Sequence, residues 1–124
     1  MTPGTYFHII GNVETKQVIE ALGALAQETR LAVFRMLVEA GPAGLPAGEI
    51  SARLELPAAT ASFHLAQLTR AGLLVSRTQG RFVIYSADFE RMNALLGFLT
   101  DNCCGGESCA PVPQPVKVVK RKVS

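Results

Sequence analysis

Apolar side chains recur at three- and four-residue spacing in five stretches of this 124-residue chain, the spacing that lines one face of a helix. The first stripe is Val18, Leu22 and Leu25 with Ile19 and Ala26 beside it, capped by Asn12 and carrying Glu14 in its first turn, where the helix dipole favours a negative charge. The second starts near Glu28, runs through Leu31, Phe34, Leu37 and Val38, and stops at Gly41-Pro42. The connector GPAGLPAG is loop by composition. A short third helix over Glu49–Leu54 then buries Ile50 and Leu54 and is closed by Leu56-Pro57. From Pro57 a fourth helix turns Ala61, Leu65 and Leu68 inward and Ala59, Ser62, Phe63, Ala66 and Arg70 outward, with Thr60, His64 and Gln67 on its flanks. It ends at Ala71-Gly72.

Beyond that point the helical period gives way to β-rich runs. Leu74–Thr78 and Arg81–Ser86 are rich in Val, Ile, Phe and Tyr and flank Gln79-Gly80, which predicts a tight hairpin. Asp88 caps a last helix in which Phe89, Met92, Leu96 and Leu99 repeat in a near-heptad, with Leu95 alongside, until Asn102. Such a seam needs a partner, either the first helix or the same helix of a second copy.

The order α-α-α-α-β-β-α defines a mainly α fold with a β-hairpin wing. A short helix, a tight connection, a second helix with small outer residues and a following hairpin make a winged helix-turn-helix. One domain is expected over residues 13–102. Residues 1–12 form an extension in which Tyr6, Phe7, Ile9 and Ile10 surround His8, with no function assigned. Residues 103–109 are a cysteine segment, and 110–124 a disordered tail with three prolines ahead of a basic run. No internal repeat is evident.

Charge refines the picture once it is divided along the chain. The formal total is +2, yet residues 1–116 hold eight basic and ten acidic side chains, and Lys117, Lys120, Arg121 and Lys122 supply the excess. A uniformly basic nucleic-acid binder is excluded, so any DNA affinity depends on local placement. Leu56–Ala87 provides it, with no Asp or Glu and with Arg70, Arg77 and Arg81. Small residues on the fourth helix allow close approach to base edges, and Arg77 and Arg81 near the hairpin tip, beside Gln79, can reach phosphates. Phe63 suits a thymine methyl or is simply exposed, and Thr60 and Gln67 divide evenly between base contact and solvation. No run approaches the roughly twenty apolar residues of a membrane span. The N-terminus also lacks the pattern of a secretion signal, which gives a cytoplasmic expectation.

Leu25-Ala26 through Ser86 resembles the ArsR/SmtB family of metal-responsive winged-helix repressors. The marks are Arg30-Leu31, Thr60-Ala61-Ser62-Phe63-His64-Leu65 with Leu68, Ala71-Gly72-Leu73, and Gly80-Arg81 with Tyr85. The resemblance implies a homodimer joined through terminal helices, bound to operator DNA with an inverted repeat. It implies DNA contacts from Ala59, Thr60, Ser62, Phe63, His64, Gln67, Arg77, Gln79 and Arg81. For His64 a hydrogen-bonded, half-buried role stands beside the DNA contact. The third helix has no cysteine and the last no histidine, so two of the family's ligand sites are missing. The segment NCCGGESC is similar to the C-terminal three-cysteine site of the arsenic-responsive branch, which implies As(III) or Sb(III) as the inducer bound by Cys103, Cys104 and Cys109.

Thiol chemistry is compatible with that implication. Three thiolates within seven residues suit a soft ion that accepts sulfur in a pyramid, and a tetrahedral zinc site lacks a fourth ligand nearby. Adjacent cysteines place their Cα atoms about 3.8 Å apart, below the usual disulfide range, so an oxidative bridge would join Cys109 to one of the pair. A redox- or persulfide-responsive repressor using the same thiols is therefore the alternative. No catalytic cofactor is expected. A cysteine-based arsenate reductase or a metallochaperone is the rival of another class, but no phosphate-cradling loop or activating histidine is evident near the cysteines.

Overall fold

The computed structural model describes residues 14–106, the Cys104 side chain excepted. The helices are α1 (Thr15–Leu25), α2 (Glu28–Ala40), α3 (Ala47–Leu54), α4 (Ala58–Arg70) and α5 (Phe89–Thr100). The strands are β1 (Leu45–Pro46), β2 (Leu74–Gln79) and β3 (Phe82–Ala87), and short 3-10 turns cover Gly41–Ala43 and Cys103–Gly106. The expected winged helix-turn-helix is present. No helix is long and apolar enough to cross a membrane among the described residues.

The antiparallel sheet has the order β1-β3-β2. In the hairpin Leu74 pairs with Ala87 and Gln79 with Phe82, while Leu45 and Pro46 pair with Tyr85 and Ile84 on the other side of β3. The connector is thus not purely loop. Pro46 lacks an N–H and tolerates only an edge position, which β1 supplies, and a two-residue strand is too short to show alternation. Gly44 (φ +70) makes the pairing possible, because a Cβ there would run into the Tyr85 carbonyl.

The core gathers Val33, Phe34 and Leu37 of α2, Ile50 of α3, Leu65 and Leu68 of α4, and Leu73 and Leu74, with Ala94 and Leu95 closing it from α5. The inward face of α4 is the one expected. That of α1 is corrected: Val18 and Ala21 are buried, whereas Leu22 and Ile19 are 41% and 62% exposed. Ala21 lets α1 sit close against α2 and α4, and the larger side chains turn to solvent. Leu31 of α2 is likewise 44% exposed, with Val33 buried instead. Glu14 rather than Asn12 caps α1, through a capping box with Gln17; Asn12 lies outside the described residues, as do the N-terminal extension and the basic tail.

Candidate nucleic-acid interface

Two Schellman motifs hold α4 in place. At the α3–α4 turn, Leu56 N donates to the Ser51 carbonyl and Glu55 N to that of Ala52, with Glu55 left-handed at φ +55. Ser51 Oγ adds a 2.6 Å bond to the Leu56 carbonyl. At the far end Leu73 N donates to Leu68 O and Gly72 N to Thr69 O, with Gly72 at φ +85. A side chain at Gly72 would also meet the Arg91 guanidinium of α5. Asp88 N then donates to Leu73 O over 2.9 Å, joining the α5 cap to the end of α4. The helix is therefore fixed in direction at both termini by backbone bonds that leave its outer face clear.

That face exposes Ala59, Thr60, Ser62, Ala66 and Arg70, with Phe63 55% exposed among them. His64 and Gln67 are half-buried on the flanks. His64 Nδ1 lies 3.4 Å from an Arg30 terminal nitrogen, and its ring meets Phe63 edge-on with centroids 5.5 Å apart. Because a guanidinium only donates, Nδ1 accepts and the proton sits on Nε2. Burial pushes the imidazole below its ordinary value, and the Arg30 charge lowers it further. Arg30 is in turn held by its Nε bond to the Ala24 carbonyl at 2.8 Å.

On the wing, Arg77, Gln79 and Arg81 are all exposed. Arg77 donates to the Ala43 carbonyl at 2.8 Å, tying β2 to the α2–α3 connector. The expected DNA-facing residues thus fall into three groups. Ala59, Thr60, Ser62 and Phe63 form one open row, Arg77, Gln79 and Arg81 lie on the wing, and His64 and Gln67 turn partly toward α2. One wing residue escaped sequence reasoning: Phe82, beside the turn, is 59% exposed. It shares the face of buried Ile84, two residues on, and its place beside the Gln79-Gly80 turn was the signal that could have revealed its exposure.

The cysteine segment begins directly after α5. Asn102 is left-handed (φ +59), Gly105 has φ +67 and donates to the Asn102 carbonyl, and Cys103 is exposed. No group of three His, Cys, Asp or Glu side chains able to hold a metal occurs among the described residues; Cys109 and the Cys104 side chain lie outside them. On α5 the apolar seam is split, with Leu95 buried and Leu96 and Leu99 each 53% exposed.

Comparison with known proteins gives this arrangement a lineage. A family described as a helix-turn-helix domain matches residues 25–77. The transcriptional activator HlyU of Vibrio cholerae serotype O1 is 35% identical over 83 residues, covering 67% of this chain and 74% of that protein. A structure of HlyU from Vibrio cholerae N16961 superposes with a TM-score of 0.56, covering 68% of this chain and 92% of that one, and HlyU is also known in a structure of its reduced form. An ArsR-like transcriptional regulator from Rhodococcus sp. RHA1 gives a TM-score of 0.60 at 27% identity, covering 68% and 76%. The homodimeric winged helix-turn-helix DNA-binding domain of Mb0332 from Mycobacterium bovis, a possible ArsR-family regulator, gives 0.56 at 25% identity, covering 74% and 85%. With its helix-turn-helix, its wing and these relatives, the chain belongs to the ArsR-like family of winged helix-turn-helix transcriptional regulators.

Proposed function

We propose that this protein is a dimeric, cytoplasmic repressor that binds an inverted-repeat operator and releases it when trivalent arsenic or antimony is captured by Cys103, Cys104 and Cys109. The observation that carries the proposal is the position of the thiol segment. Cys103 is exposed at the end of α5, the same helix whose Leu96 and Leu99 face solvent and are available to a second copy. Drawing three sulfurs around one ion bends the last turn of α5, and a change there alters the relation of two α4 helices across a twofold axis. The ion regulates only to the extent that it binds the low-affinity arrangement more tightly. Ala59, Thr60, Ser62 and Phe63 then read base edges, with His64 and Gln67 at the margin, and Arg77, Gln79 and Arg81 hold the backbone. A relative, HlyU, is named an activator; DNA occupancy is common to both outcomes, and transcription in vitro from the operator's own promoter establishes the sign.

The test is a fluorescence anisotropy titration of the operator complex. Arsenite is expected to release the DNA, and Cys→Ser at each of the three positions to weaken release while leaving DNA affinity unchanged. Release that persists in all three variants would sink the assignment. A second reading, in which oxidation or persulfide triggers release, draws on the existence of a reduced form of HlyU. It predicts that polysulfide, and not arsenite, empties the operator.

A further inference from the structure

Between α1, α2 and α4 the surface opens into a cleft of about 290 Å³ that adjoins the C-terminal end of the outward face of α4 and includes none of the thiols. Arg30, Gln67, Arg70 and Glu20 supply its polar lining, and the walls are completed by small residues, including Gly23 and Ala24. The ion pairs among the described residues join Arg35 to Glu39 and Arg53 to Glu49, so Arg30 and Arg70 face the cleft with no neutralising carboxylate bonded to them. Arg30 uses one donor on Ala24 and one on His64; the rest of its five N–H groups lack a protein acceptor among the described residues.

We propose that this cleft binds a small organic carboxylate that also bears a hydroxyl or amino group. Two guanidinium groups and a carboxamide line one space as donors, the arrangement that favours a carboxylate. Glu20 is the acidic group of the lining and accepts from the ligand's own donor, discriminating against plain acids. The volume lies at the lower edge of small-molecule sites, roughly 300 Å³, which restricts the ligand to a compact skeleton beside Gly23 and Ala24. Because Gln67 and Arg70 belong to α4, an occupant fastens the last turns of that helix to α1 and α2. The consequence for operator binding rests on α4 as the DNA-reading helix; the binding itself does not.

The experiment uses the full chain, isotopically labelled and free of DNA and metalloid, and follows the Gln67 carboxamide and Arg70 Nε–H resonances. The probes are matched pairs: lactate and propionate, malate and succinate, 4-hydroxybenzoate and benzoate, together with inorganic phosphate. At least one hydroxylated acid is expected to give saturable shifts at both residues and to bind roughly tenfold more tightly than its partner. Arg70→Ala and Gly23→Leu are each expected to weaken it by roughly tenfold. The second variant builds its side chain out from open space, because a Cβ at Gly23 meets nothing within 4 Å. Glu20→Ala should erase the preference for the hydroxyl while retaining the plain acid. No shift with any of the acids, or shifts indifferent to Arg70→Ala and Gly23→Leu, overturns the proposal. So does a response confined to inorganic phosphate, which would make the cleft a contact for the DNA backbone. None of these outcomes depends on arsenite release.

Discussion

His64 shows how one side chain ties together segments distant in sequence. Its Nδ1 faces Arg30, 34 residues away in sequence, while its other edge remains on the flank of the DNA-facing row. The lowered pKa makes the sign of its pH effect definite. Above the ordinary histidine value of about 6.5 folded and unfolded states both hold it neutral, and its stabilising contribution is complete. As the pH falls below that value the unfolded chain takes up the proton first, and the contribution is lost as the pH passes through the lower folded value. In thermal denaturation, His64→Asn should therefore lose less stability than the parent across this acidic window. Arg81→Ala addresses the wing: it is expected to weaken binding to all sequences alike and to lower the salt slope of log K by about 1, measured by anisotropy across a salt series.

At the scale of elements, α4 is defined more by its ends than by its propensity. The left-handed Gly72 closes the helix and leaves room for Arg91. Gly72→Ala is expected to cost about 1–2 kcal/mol from the left-handed backbone alone, and more because Arg91 must move; urea denaturation measures it. The same motif at the α3 end is closed by Glu55 instead, so the helix-turn-helix corner carries strain that its partner corner does not. α5 offers a second prediction. Leu96 and Leu99 are each 53% exposed in the single chain. Changing both to Lys should leave the helical signal intact while abolishing self-association in sedimentation velocity, and operator affinity should fall with the dimer.

For the whole molecule, the segments with a strong hydrophobic period are the ones legible in the sequence. On α4, Ala61, Leu65 and Leu68 admit one inward face, and that face is buried. On α1, Val18 with Leu25 accommodates either Ala21 or Leu22 between them, and residue hydrophobicity selects the wrong one because Leu22 sits at the surface. Leu45–Pro46 is invisible as a strand, since two residues display no alternation. The candidate site divides the same way. The outer row of α4 and the wing arginines come from helix geometry and charge, whereas the Arg30–His64 contact and the cleft at Arg70 join segments distant in sequence and emerge only from packing.

The bond from Arg77 to Ala43 has a consequence for the cycle of binding and release. This guanidinium lies 2.8 Å from the connector's Ala43 carbonyl, and a phosphate that drew it away would unmoor Gly41–Gly44 in the same movement. Such a movement would return motional freedom to that connector, offsetting part of the ordering entropy of binding. Amide exchange at Gly44, whose N–H donates to Gly41 over 3.1 Å, should accordingly quicken in the operator complex.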